Sequence, residues 1–284
     1  MPEQSLQGKT AIVTGAAGGF GRVLVKAFLD EGARVAAFDV DAIGLEQLKQ
    51  DIQGVSEENL FCGVVDIADY AACAQVVRDT RDELGGLHIV INNGAMGLGA
   101  IRNDHLTRLI GIQEIEPEMW QRFVAVNLSG AWNFTRASIG HLLDQHWGRV
   151  INVTTSFFTM LRGGFHPYGP CKAGLEAMSR GHAQEFEGTG VTVNIVVPGG
   201  PANTPMVPNE SGFERKDLVQ ASVMAPPIVW LCSEAANGIS GNRYVAQYWD
   251  STQPPDQAEL ACRAPAAWPD LAQTPVWPGE KPKR

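Results

Sequence analysis

Seven short apolar runs, separated by stretches of helical periodicity, narrow the folds open to this chain more than any other feature. They are Lys9 to Thr14, Ala33 to Phe38, Leu60 to Val65, His88 to Ile91, Arg149 to Thr155, Val191 to Val197 and Tyr244 to Gln247. Strands that alternate with helices in this way imply right-handed crossovers, which build a parallel sheet covered on both faces. The expectation is an α/β fold with a doubly wound parallel sheet in three α/β/α layers, forming a single domain over residues 1–247. A chain of 284 residues, 44% of them hydrophobic, has the material for that core. From Tyr248 onward the sequence is rich in Pro, Trp, Gln and Ala without a clear period, so residues 248–284 read as an extended tail. Trp249, Trp268 and Trp277 suggest that this tail packs against something.

The first run breaks into Gly15-Ala16-Ala17-Gly18-Gly19-Phe20-Gly21 and then into an amphipathic helix reaching about Glu31. Strand, glycine turn and helix in this order let backbone N–H groups at the helix start face a pyrophosphate. The second run ends at Asp39. A carboxylate there accepts hydrogen bonds from a ribose 2′-OH and repels a 2′-phosphate, which selects NAD over NADP. The competing role is a helix cap, since Asp39 and Asp41 both precede a helical stretch. Separation from the glycine turn favours the ribose role. The fourth run ends in Asn92-Asn93-Gly94-Ala95, whose small residues let the backbone approach a ligand beyond the strand.

A second constellation centres on Tyr168 and Lys172. At i, i+4 on a helix the phenol and the ammonium share one face, and a nearby positive charge lowers a tyrosine pKa toward acid/base work near neutral pH. Upstream, the run Ile151-Asn152-Val153 ends in three hydroxyls, Thr154, Thr155 and Ser156. Between hydroxyls and tyrosine lie Phe157, Phe158, Met160, Leu161 and Phe165, which suit a hydrophobic or cyclic substrate and equally a subunit interface. His166 and Cys171, beside the tyrosine, read as rim and packing. Met96 to Glu116 reads as a surface excursion, and Pro117 to about His146 as one long helix with the polar Asn127 inside an apolar repeat. Pro198-Gly199-Gly200-Pro201 ends the sixth run, and Ala202 to Gln220 is a candidate substrate lid.

Composition closes off other functions. The net charge of -9 argues against nucleic-acid and acidic-membrane partners. The five cysteines, Cys62, Cys73, Cys171, Cys232 and Cys262, show no CxxC spacing, so neither a metal site nor a disulfide framework is indicated. No leader and no membrane-length apolar run is visible, and the expectation is a soluble, cytoplasmic protein. Charged residues at 19% fall below the usual ~25%, which fits either surface covered by another subunit or a large core.

Together the motifs Thr14-Gly15-x-x-x-Gly19-x-Gly21, Asn92-Asn93-Gly94-Ala95, Asn127, Thr154 to Ser156, Tyr168-x-x-x-Lys172 and Pro198-Gly199 resemble the short-chain dehydrogenase/reductase family in its single-domain branch, over roughly Gly8 to Val245. The resemblance implies a Rossmann fold and an NAD-dependent alcohol dehydrogenase or ketone reductase. Gly15, Gly19, Phe20, Gly21, Asp39, Asn93, Gly94, Pro198 and Gly199 would bind the cofactor, with Asp66 and Ile67 near its adenine and Thr204 near its carboxamide. Tyr168 would be the general acid/base, and Lys172 would lower its pKa and hold the nicotinamide ribose. Asn127 would kink its helix and position a water in a proton relay. Register puts the third catalytic hydroxyl at Thr155, with Ser156 its rival. The resemblance also implies a homodimer or homotetramer formed through the two long helices. Departures from the family pattern are the exchanged Gly94-Ala95, the long excursion, the hydroxyl ambiguity, and Gln247-Tyr248-Trp249-Asp250 in place of an acidic-Gly-Gly ending. The hydroxyl ambiguity and the altered ending motivate a rival reading, a non-catalytic NAD-binding or sensor protein on the same fold.

Overall fold

The computed structural model describes residues 4–52 and 57–271, so Trp277 lies outside the described residues. In chain order the elements are β1 (Thr10–Thr14), α1 (Gly19–Asp30), β2 (Arg34–Asp39), α2 (Ala42–Asp51), β3 (Leu60–Val64), α3 (Tyr70–Leu84) and β4 (Ile89–Asn92). They continue with α4 (Pro117–Val124), α5 (Gly130–Asp144), β5 (Gly148–Val153), α6 (Phe157–Leu161), α7 (Tyr168–Glu185) and β6 (Val191–Val197). The chain then adds α8 (Ala225–Cys232), β7 (Asn242–Val245), α9 (Pro255–Cys262) and β8 (Arg263–Pro265). Eight strands form one sheet in the order β3-β2-β1-β4-β5-β6-β7-β8, parallel except for β8. The order reverses between β1 and β4, and in an open α/β sheet a ligand crevice lies outside the strand ends at such a switch.

Strand alternation explains why the sheet is covered twice. Ala11, Val13, Val35, Ala37, Ile89 and Ile91 pack with α1, α2 and α8 through Leu24, Phe28, Leu45, Ile228 and Leu231. Their neighbours Ile12, Ala36, Val90 and Val150 point the other way, onto Val77 of α3 and Phe134 and Leu142 of α5. Short continuous β-branched runs are what a strand buried on both faces requires.

Three expectations are corrected. The helix expected from Pro117 to His146 is interrupted by a π-helical turn, Ala125–Ser129, which contains Asn127. The excursion before it is not only surface: Leu98, His105 and Ile110 are buried, and Leu98 and Ile110 pack with Phe123 and Cys171. Within the expected tail, residues 248–271 are not extended chain. Helix α9 lies on the α1/α8 side through Cys262, Tyr244 donates a buried 3.0 Å hydrogen bond to Glu259, and β8 then pairs antiparallel with β7. Ala266 emerges on the opposite face against Ile195 and Val197, so the segment wraps the sheet edge. With Arg-Ala-Pro as its sequence, β8 has none of the β-branched or aromatic residues by which a strand is read, and Pro265 is tolerable only at an edge.

Candidate active site

The glycine turn is shaped by contacts that exclude side chains. Gly15 has φ +65°, and a Cβ there would stand 2.7 Å from the Gly94 Cα. At Gly21 a Cβ would stand 2.0 Å from the Gly15 carbonyl oxygen. Thr14 ties the two strand ends together, its hydroxyl accepting from the Asn93 and Gly94 N–H groups at 3.1 and 2.9 Å. Asn93 returns the contact by donating to the Thr14 and Gly15 carbonyls. The first N–H groups of α1, at Gly19, Phe20 and Gly21, have no intrahelical acceptor, as at any helix start. Gly19 lies under Thr204, whose Cγ2 would be 2.6 Å from an added Cβ, so the segment after β6 is laid down on the glycine turn.

Of the two carboxylates weighed as helix caps, Asp41 takes that role. Asp41 caps α2 by accepting from the Gly44 N–H at 3.0 Å. Asp39 accepts from the Ala17 N–H of the glycine turn and from the Asp41 N–H, both at 3.0 Å. Asp66 accepts from Arg122 at 2.8 Å, a bond that holds its carboxyl below the usual range, and Ile67 packs against Gly94 and Gly130. Gly199, with φ +107°, sits where a Cβ would meet the Gln247 side chain at 2.8 Å. Pro198 accepts from the Gln247 N–H at 3.1 Å, so the departure after β7 abuts this turn.

Tyr168 and Lys172 open α7 below the end of β5. The Lys172 ammonium is 2% exposed and donates to the Val153 carbonyl at 2.8 Å. Burial pushes its pKa down to about 8. Burial pushes the Tyr168 phenol up to about 12, and the Thr155 hydroxyl pulls the other way by hydrogen bonding that favours the ionised form. The expectation that Lys172 lowers this pKa is not met by the local geometry. Its Nζ is turned to Val153 and stands 5.9 Å from the ring centroid.

Thr155 and Ser156 both lie beyond β5, which ends at Val153. Ser156 caps α6 by accepting from the Thr159 N–H at 3.1 Å. Thr155 faces Tyr168. Asn127 is buried and clamps the backbone beyond β4, accepting from the Met96 N–H at 2.7 Å and donating to the Met96 carbonyl at 3.0 Å. The tyrosine ring belongs to an apolar cluster with Leu98, Ile110, Phe123, Phe165 and Cys171.

Two residues at this end of the sheet carried no signal in the sequence. Glu176, one turn beyond Lys172, is fully buried and pairs at 2.8 Å with Arg243 of β7, itself 6% exposed. They are 67 positions apart, and neither belongs to a motif.

The profile of the short chain dehydrogenase family matches residues 9–214. The chain belongs to that family. Among curated relatives, this short-chain dehydrogenase is 28% identical over 246 residues to the 3-oxoacyl-(acyl-carrier-protein) reductase FabG of Salmonella typhimurium, covering 84% of this chain and 95% of that one. It is 31% identical over 195 residues to the D-threitol dehydrogenase of Mycolicibacterium smegmatis, covering 68% and 70%. A crystal structure assigned to a short-chain alcohol dehydrogenase of Sinorhizobium meliloti superposes with a TM-score of 0.75 at 27% identity, over 86% of this chain and 97% of that one. The family is one of oxidoreductases that bind a nicotinamide cofactor, and the residues present fit such a group. Side-chain-free approach at Gly15 and Gly94, free N–H groups at the start of α1 and the Asp39 carboxylate beside the turn form a cradle of the right chemistry. Among the described residues, no helix is long and apolar enough to cross a membrane and no group of His, Cys, Asp and Glu is arranged to hold a metal.

Proposed function

We propose that this short-chain dehydrogenase transfers a hydride between NAD and a secondary alcohol or the corresponding ketone, with Tyr168 as general acid/base. The observation that carries the proposal is the meeting of Tyr168, Thr155 and Lys172 at the end of β5, beside the switch between β1 and β4. Tyr168 Oη takes the hydroxyl proton in oxidation and returns it in reduction. Thr155 donates to the same oxygen and favours the phenolate, while Lys172 keeps its proton on Nζ near neutral pH and presents N–H donors to the Val153 carbonyl and to the ribose side of the crevice. The nicotinamide supplies hydride acceptance and, when oxidised, a positive charge that favours the phenolate further. Asn127 holds the Met96 backbone and so the floor beyond β4.

Gly15, Gly19, Phe20, Gly21, Asn93 and Gly94 would hold the dinucleotide, with Asp66 and Ile67 toward the adenine and Pro198, Gly199 and Thr204 over the nicotinamide. Asp39 supports NAD over NADP because its carboxylate stands against the glycine turn. Arg22, which reaches the glycine turn, does not offset it: it donates to the Ala17 and Gly44 carbonyls and pairs with Asp51. The apolar wall around Tyr168 supports a hydrophobic or cyclic substrate. The relatives' names, an oxoacyl reductase and a threitol dehydrogenase, support alcohol/ketone chemistry. Assembly as a homodimer or homotetramer, in the cytoplasm, completes the proposal.

The test is a panel of secondary alcohols with NAD, following absorbance of the reduced cofactor. Tyr168→Phe should keep NAD binding and lose about 10²- to 10⁴-fold in turnover, the usual worth of a general acid/base. Full turnover by that variant overturns the mechanism. NAD binding by the wild type without turnover across the panel favours the sensor reading.

A further inference from the structure

Arg243 starts on β7 and acts two strands away. Its strand pairs with β6, and β6 pairs with β5, yet the guanidinium reaches past β6 to the end of β5. There Nη2 donates to the Thr155 carbonyl at 2.7 Å. Nη1 donates to Glu176 Oε2 at 2.8 Å and to the Thr154 hydroxyl at 3.3 Å, and that hydroxyl donates to Glu176 at 2.9 Å. The guanidinium plane also lies 4.2 Å from the Phe157 ring centroid. Phe157 in turn packs on Trp268 at 5.5 Å, and the other oxygen of Glu176 accepts from the Ala267 N–H at 3.3 Å. The residue whose side chain faces Tyr168 is thus held through its own carbonyl by a planar fork, and the fork is boxed in by the C-terminal segment that wraps the sheet edge.

We propose that Arg243 is a positioning residue for the Thr155 hydroxyl, with Glu176 and the Ala267–Trp268 turn fixing the guanidinium in place. This rests on the reading of Tyr168 and Thr155 as the proton-handling pair. Arginine is suited to the task because five donors in one plane can serve two acceptors at once. A lysine ammonium could satisfy Glu176 but is a point donor, without the fork that reaches the Thr155 carbonyl as well. A residue that served stability alone would not care about this difference.

The decisive experiment reads Tyr168 itself. The four tyrosines, Tyr70, Tyr168, Tyr244 and Tyr248, are replaced biosynthetically by fluorotyrosine, and the Tyr168 fluorine signal is assigned by its loss in Tyr168→Phe. Alkaline titration then gives its midpoint in each variant. Arg243→Lys should raise the Tyr168 midpoint and lower kcat about tenfold with KM for NAD unchanged, the scale of one net hydrogen bond. Tyr244→Phe is the control: it removes the Glu259 hydrogen bond from the adjacent residue of the same strand on the opposite face. It should lower stability and leave the Tyr168 midpoint alone. An unchanged midpoint in Arg243→Lys, or an equal shift in both variants, overturns the proposal. If Arg243→Lys does not fold, Arg243→Gln combined with Glu176→Gln removes both buried charges together and is read by the same criteria. A wild type with no turnover whose Tyr168 midpoint still answers to Arg243→Lys defeats the functional reading and leaves the positioning inference standing.

Discussion

Two buried cations lie against the end of β5, and the protein treats them oppositely. Lys172 has a single acceptor among the described residues, the Val153 carbonyl, and no carboxylate. Arg243 has a carboxylate, a carbonyl, a hydroxyl and an aromatic face. Glu176 is four residues after Lys172 on α7, within ordinary helical pairing distance, yet its oxygens go to Arg243, Thr154 and Ala267. A paired Lys172 would be stable and electrostatically quiet. Left unpaired, it is poised near neutrality and its charge stays available to whatever enters the crevice. On the proposed mechanism the neutralised pair fixes geometry and the lone ammonium supplies chemistry.

The largest expected effects come from exchanging these fates. Lys172→Met, an apolar side chain of similar reach, should cut turnover by about 10²- to 10⁴-fold. The same substitution should not weaken the fold at neutral pH, because it removes a buried charge without a counter-ion. Glu176→Leu should do the reverse in stability, costing roughly 3–5 kcal/mol by leaving Arg243 buried and unpaired. Urea denaturation with matched slopes measures both. If Lys172→Met proves the less stable of the two variants, the contrast between the cations is wrong.

How much of this was legible beforehand depended on separation along the chain. That Tyr168 and Lys172 share one face of α7 could be read because a helix brings residues four apart onto the same side. The glycine turn could be read because strand, turn and helix are consecutive. Glu176 and Arg243 could not: an isolated glutamate in a helix and an arginine in a strand look like solvent-facing residues until the sheet order sets them together. The π turn at Asn127 was half legible. A polar residue in an apolar repeat signalled a local bend, but only the fold shows that both ends of its amide go to Met96. The wrap by α9 and β8 was hidden because each element is short and β8 is Arg-Ala-Pro, so tertiary contacts, not propensity, make it a strand.

The contrast also has a pH signature. Lys172 falls from an ordinary 10.5 to about 8 through burial. Between those values the unfolded chain holds a proton that the folded chain has released, so stability rises with pH across this window. The depression corresponds to roughly 3 kcal/mol that the fold lacks below pH 8 and regains as pH approaches 10.5. Several buried cysteines and Tyr168 are shifted upward and work against stability at the alkaline end. The clean quantity is therefore the difference between wild type and Lys172→Met. That variant should be the more stable at neutral pH, with the gap closing as pH rises. A gap that stays constant would mean that Lys172 is not held as an unpaired ammonium.

The smallest effect sharpens the same division at the level of two adjacent hydroxyls. Ser156 Oγ accepts from the Thr159 N–H at 3.1 Å and shares a 2.9 Å hydrogen bond with the Thr159 hydroxyl, so it is occupied in capping the five-residue α6. Thr155 has its carbonyl held by Arg243 and its hydroxyl toward Tyr168. Ser156→Ala should therefore cost about 1 kcal/mol of stability, the usual worth of a lost cap, and change turnover by less than about twofold. Thr155→Ala should leave stability nearly unchanged and lower turnover, while Thr155→Ser should restore it, because only the hydroxyl is required at that position. Turnover lost in Ser156→Ala and kept in Thr155→Ala would reverse the assignment, and it would also detach Arg243 from the chemistry, since its fork grips the Thr155 carbonyl and makes no hydrogen bond to Ser156.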